Sequence, residues 1–153
     1  MFAFLLSLLT TLLSPVGMAA APSSPPAAQA AATAPFAWLD GTWRTDALEM
    51  RCRATSNGMA CREDGRGAAM KGARADLAIA PASAGGGSRL TVVLPSIPPS
   101  VFAEVARGTQ SVTYEMKSRL GVARLRFTRD GDTLTVERGN ADVWGTTMTY
   151  RRG

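Results

Sequence analysis

Glu49, Glu115, Cys52 and Cys61 are the side chains of this chain whose types and spacing could support chemistry. Two strand-borne glutamates converging on an arginine inside a barrel would make a polar anchor for a ligand. Alternation argues against that use. Glu49 precedes Met50 and Glu115 follows Tyr114, so each carboxylate falls on the face opposite an apolar neighbour and is expected in solvent. The two cysteines do not have the spacing of a redox motif, and a metal site would need further ligands, so a structural disulfide is expected.

The absent side chains exclude more than the present ones support. The chain has no histidine, which removes imidazole bases, Ser-His-Asp and Cys-His nucleophile systems, and His-ligated metal or haem. Ser-Lys and paired-carboxylate catalysis stay open, but no catalytic spacing supports them. Gly85-Gly86-Gly87 lacks the Lys-Ser/Thr of a phosphate loop. Asp130-Gly131-Asp132 reads as a hairpin turn rather than a calcium loop, because its acceptors are too few. No enzyme activity, cofactor or metal is expected.

The elements that must position these residues are strands. Asp130-Gly131 is a two-residue hairpin signal. Counting outward from it pairs Phe127 with Leu134 and Leu125 with Val136 on a dry face, and Thr128 with Thr133 and Arg124 with Glu137 on a wet one. The same alternation runs through Leu48, Met50 and Cys52; Leu77 and Ile79; Leu90, Val92 and Leu94; and Val112, Tyr114 and Met116. Near the end it runs through Trp144, Thr146, Met148 and Tyr150. Val101 to Arg107 is the one segment read as one or two helical turns. In the first hairpin the register is open. A loop over Thr55 to Gly58 sets Cys52 opposite Cys61 for a disulfide, whereas a tighter Asn57-Gly58 turn pairs Cys61 with Ala54. Successive short strands with one apolar face each predict an all-β, antiparallel up-and-down meander that curls into a barrel or half-barrel.

Before this domain the composition changes abruptly. All 17 basic and 12 acidic residues lie beyond Pro35. Phe2 to Leu13 is a charge-free apolar run of signal-peptide length, short for a membrane span, and Gly17-Met18-Ala19 offers a small-x-small cleavage site. Cleavage after Ala19 is the first choice; an uncleaved anchor is the competing reading, and the n-region has no Lys or Arg. Residues 1–19 are thus expected to be a signal peptide and 20–35 a disordered Ala/Pro linker. Residues 36–153 form one domain, periplasmic or secreted. Its arginines alternate with apolar and Thr neighbours instead of clustering. Nucleic acid is therefore not an expected partner, membrane-surface attraction is expected to be weak at most, and the protein is expected to be a monomer.

The entry to the first strand, Phe36-Ala-Trp-Leu-Asp-Gly-Thr-Trp-Arg44, contains Gly41-Thr42-Trp43. This resembles the Gly-x-Trp signature of lipocalin-like (calycin) domains. The order Trp38-Leu39-Asp40-Gly41-Thr42-Trp43, Glu49, Gly58, Tyr114-Glu115 and Arg124-Leu125-Arg126-Phe127 is further similar to a bacterial family of exported, uncharacterised lipocalin-like proteins. Lys117 to Val122 stands where that family often carries His-Asp-Phe-Pro. The resemblance implies a barrel whose closed end is plugged by Trp43, with Arg151 or Arg152 from the last strand packed across the indole and Gly41 letting the backbone pass beneath. It also implies a small apolar or amphipathic ligand inside, held by Met50, Tyr114, Met116, Phe127, Met148 and Tyr150. A filled core in a structural or interaction protein of the cell envelope is the alternative.

Overall fold

The structure is a computed structural model that describes residues 35–83 and 86–153. The expected signal peptide, and all of the expected linker except Pro35, lie outside the described residues. After a 3-10 turn at Ala37–Leu39, ten antiparallel strands follow. They are β1 (Gly41–Arg44), β2 (Leu48–Thr55), β3 (Gly58–Gly65), β4 (Arg74–Pro81), β5 (Ser88–Val93), β6 (Ser100–Arg107), β7 (Ser111–Ser118), β8 (Gly121–Asp130), β9 (Thr133–Asn140) and β10 (Trp144–Arg152). Each pairs with its neighbours in sequence, and β1 also pairs with β10, so the meander closes into a barrel. Closure rests on a short seam, Trp43↔Arg152 and Arg44↔Arg151.

Period-two alternation decides which side chains enter the barrel. Trp43, Met50, Met59, Leu90, Val112, Tyr114, Phe127, Leu134 and Tyr150 are all buried inside. The outer wall carries most of the ion pairs. Glu49 joins Arg44 and Arg51, Glu115 joins Arg124 and Lys117, and Arg126 meets Glu137. Exposed pairs of this kind contribute roughly 0–1 kcal/mol each; they mainly keep the barrel's wet side wet. Arg44 and Arg124 hold the Glu49 and Glu115 carboxyls below the usual carboxylate range by direct hydrogen bonds.

Three local expectations are corrected. The β8–β9 turn is Gly131-Asp132, one residue later than expected, with Gly131 at φ 56° in the first central position that a type II′ turn reserves for glycine. Phe127 therefore faces Val136, and Thr128 faces Thr135. This two-residue shift keeps every side chain on its expected face. It also gives each arginine its own acid, Arg126 opposite Glu137 and Arg124 opposite Glu115. Second, Val101 to Arg107 is strand β6, not helix. Third, a bulge between Trp144 and Thr146 breaks the alternation of β10. Trp144 is turned to the outer wall, where the Arg126 guanidinium lies 4.4 Å from its ring, while Met148 and Tyr150 keep the inner face.

In the first hairpin Thr55 pairs with Gly58 and Cys52 with Cys61, which are disulfide-bonded with Cα atoms 4.0 Å apart. Both sulfurs belong to the core. A loop this short still restricts the unfolded chain, so a Cys52→Ala/Cys61→Ala variant is expected to lose about 2.5 kcal/mol of unfolding free energy. Urea unfolding followed by circular dichroism measures it, and wild type in reductant should shift the same way. An unchanged midpoint in both would show that β2–β3 pairing alone sets the register.

Candidate ligand cavity

The two ends of the barrel differ. At one end the 3-10 turn folds under the strands, and Trp43 is fully buried with its Nε1 donating to the Leu39 carbonyl at 2.7 Å. Arg152 and Arg129 both lie over the indole, at 5.6 and 5.5 Å from its centroid. Their remaining donors cap backbone carbonyls: Arg129 donates to Trp38 (3.0 Å) and Gly131 (2.7 Å), and Arg152 to Asp40 (3.4 Å). A Cβ on Gly41 would come within 3.3 Å of the Arg152 guanidinium, so the close approach uses glycine. Arg151 is exposed and pairs with Arg44 and Thr133 on the outer wall.

Just above the plug lies a half-buried polar knot. The Ser88 hydroxyl donates to Glu104 at 2.6 Å and stands 2.9 Å from the Tyr114 hydroxyl; Arg107 binds Glu104 and covers the Phe36 ring at 4.6 Å. Partial burial opposes ionisation of Glu104, but the hydrogen bonds from Arg107 and Ser88 outweigh it and hold its carboxyl below the usual range. Burial pushes Tyr114 up to about 12. Among the described residues every buried side-chain nitrogen and oxygen has a hydrogen-bond partner, and this knot ties β5, β6 and β7 together.

The other half is not filled. A cavity of about 250 Å³ lies between the upper parts of β2 to β5, β6, β8 and β9. Met50, Leu77, Val92, Phe102, Leu125, Phe127 and Val136 give it apolar walls. Glu63 and Arg138 supply the polar lining with Ser100 and Arg124. Glu63 accepts a hydrogen bond from the Tyr150 hydroxyl, whose ionisation is pushed far up first by burial and then by that carboxylate. Arg138 is exposed, and among the described residues it makes no ion pair.

Of the side chains expected to hold a ligand, Met50 and Phe127 line this cavity. Tyr114 and Tyr150 are fully buried, and Tyr150 reaches the cavity only through Glu63. Met116 and Met148 are half-buried against the core and do not border it. Glu63, Arg138, Glu104 and Arg129 were not singled out from the sequence. A signal for them exists: each stands two residues beyond an inward apolar side chain (Cys61, Val136, Phe102 and Phe127), at the strand end where the alternation meets a polar residue. The closed up-and-down barrel is compatible with a lipocalin-like fold. Comparison of the chain with protein-family models, with curated proteins and with solved structures returned no match.

Proposed function

We propose that this protein is an exported binding domain that holds a small apolar or amphipathic molecule in the upper half of its barrel. The observation that carries this reading is the cavity of about 250 Å³ with apolar walls and a few polar lining groups, Glu63 and Arg138 among them. Ligand sites commonly combine such walls with a few polar groups that fix orientation. Its size suits roughly eight non-hydrogen atoms at liquid-water density, or one end of a longer chain. Arg138 would bind an acidic head group and Glu63 a donor, while the aliphatic part lies on Leu125, Phe127 and Val92. The apolar run Phe2 to Leu13 and the Cys52–Cys61 bridge both support export into an oxidising compartment.

Octanoate and octanol are matched probes for this site, followed by amide chemical shifts. Both should perturb residues around the cavity. Leu125→Trp, which narrows it, should weaken both at least tenfold while costing no more than about 3 kcal/mol of stability. Arg138→Gln should weaken octanoate and leave octanol unchanged. Shifts scattered over the outer wall, or none at all, would instead favour an unliganded structural domain, as would native mass spectra of envelope-purified protein that show only the bare chain.

A further inference from the structure

We infer that the cavity end of this barrel docks on an anionic lipid surface. Three of the five turns at that end, those that follow β5, β7 and β9, differ in character from the turns at the plug end. Leu94 and Ile97 protrude between β5 and β6, Leu120 between β7 and β8, and Val143 between β9 and β10; Leu120 is 101% exposed and Ile97 and Val143 more than half exposed. Val93 and Val101 extend this apolar surface down the outer wall of β5 and β6. Among the described residues of the plug-end turns, at 56–57, 82–87, 108–110 and 131–132, none is a large exposed hydrophobic.

The loop that carries Ile97 is held under strain. Leu94-Pro95-Ser96-Ile97 forms a turn in which the Ile97 amide donates to the Leu94 carbonyl at 3.4 Å. Ser96 takes φ 64°, the only positive φ of a non-glycine residue among those described. Proline followed by a left-handed residue is the type II turn, whose third position normally takes glycine or asparagine. Backbone strain of this kind concentrates at functional segments, and here it fixes two apolar side chains at the rim.

Charge selects the occupant. Arg66 and Lys71 lie on the β3–β4 loop and Arg119 beside Leu120, all exposed, and Arg138 and Arg124 stand at the cavity edge. Asp46 on the β1–β2 turn at the same end, Asp142, and Glu63 at the cavity edge are the acids there, so five cations stand against three acids. The plug-end turns carry Asp132 and no Lys or Arg; of the arginines on the strand ends beside them, Arg107 is paired with Glu104, and Arg129 and Arg152 donate to backbone carbonyls. Apolar side chains projecting from separate turns, ringed by cations, suit shallow insertion among lipid head groups. Each Lys or Arg near an anionic leaflet contributes roughly a fivefold factor in binding. Docked in this way, the barrel would receive an amphipathic molecule from the bilayer without exposing it to water. The docking itself does not depend on cavity occupancy, so octanoate binding can fail while docking holds, and the reverse.

The test places an environment-sensitive fluorophore on Leu120→Cys or, at the plug end, on Gln110→Cys in the full chain. Vesicles contain equal phosphatidylglycerol and phosphatidylcholine with brominated acyl chains. The label at 120 should be quenched and blue-shifted, and the label at 110 should not. Adding Ile97→Asp, or Lys71→Glu with Arg119→Glu, should reduce quenching at 120 at least tenfold at subsaturating lipid. Far-ultraviolet dichroism confirms that each variant keeps its fold. This local readout is indifferent to anything the N-terminal apolar run does on its own. Equal quenching at 110 and 120, no quenching at 120, or undiminished quenching in pure phosphatidylcholine would each overturn the proposal. So would emission at 120 that follows protein concentration without lipid, which would assign the rim to a second copy of the chain.

Discussion

Replacing Trp43 with alanine is expected to remove about 3–5 kcal/mol of unfolding free energy, a large part of the roughly 5–15 kcal/mol available to a domain of this kind. Trp43 has no exposed surface and sits where β1 joins both β2, opposite Met50, and β10, opposite Arg152. Losing the indole therefore opens a cavity at the shortest seam of the barrel. It also removes the donor to the Leu39 carbonyl and the surface on which Arg129 and Arg152 rest. Trp43→Phe keeps most of the packing but orphans that carbonyl, and roughly 1–3 kcal/mol should be lost. Arg152→Ala should cost only about 0.5–1 kcal/mol, because the guanidinium is exposed and Arg129 still covers the ring. Urea denaturation followed by far-ultraviolet dichroism ranks the three variants. A loss below about 1 kcal/mol for Trp43→Ala would mean that the seam holds without its plug.

That plug was legible in the sequence because glycine and tryptophan stand at a fixed spacing just before a run of alternating strands. The choice between Arg151 and Arg152 was left open, although the alternation through Met148 and Tyr150 puts Arg152 on the inner face, and the bulge near Trp144 lies before this stretch. Arg129 was hidden for another reason: it comes from a hairpin that reaches the base from the far side of the sequence. The expectation of strands held wherever one face is apolar and the other polar, as in β2, β7 and β8. It failed for β6, whose outer face carries Val101, Ala103 and Val105 beside inward Phe102, so no period of two stands out.

The turn at Gly131-Asp132 shows the limit of local turn chemistry. Both Asp130-Gly131 and Gly131-Asp132 are good hairpin dipeptides, and both place the apolar residues inside. The cross-strand acids decide between them, and only the wider sheet supplies Glu115 to Arg124. The cavity was likewise only half legible. Met50 and Phe127 belong to stripes that could be read directly, but the polar members Glu63 and Arg138 lie one alternation step beyond Cys61 and Val136 on the neighbouring strands. They were not singled out, because a charged residue carries no sign of which way a strand end points.

Alkaline pH should unfold this barrel in a single step reported by its own tyrosines. Tyr114 and Tyr150 are the only two in the chain, and both are fully buried. Burial raises Tyr114 from its ordinary 10 to about 12. Burial also raises Tyr150, and the Glu63 carboxylate beside its hydroxyl raises it further. The sign follows from the neutral phenol being the native form. Below pH 10 neither state ionises, and the stabilisation is fully present. Between about 10 and 12 the unfolded chain loses protons that the folded chain keeps, and stability falls by about 3 kcal/mol from Tyr114 alone. Tyr150 adds to this loss in the same direction, while the arginines stay charged throughout. Tyrosinate absorbance should therefore stay silent at pH 10, where free tyrosine is half ionised, and then rise steeply together with the loss of β-sheet dichroism. Tyr114→Phe should halve the amplitude and move the step to higher pH, because one of the two proton reservoirs of the unfolded state has gone. A gradual rise centred near pH 10 with intact dichroism would show that water reaches both phenols in the native barrel, and that its lower half is as open as its upper.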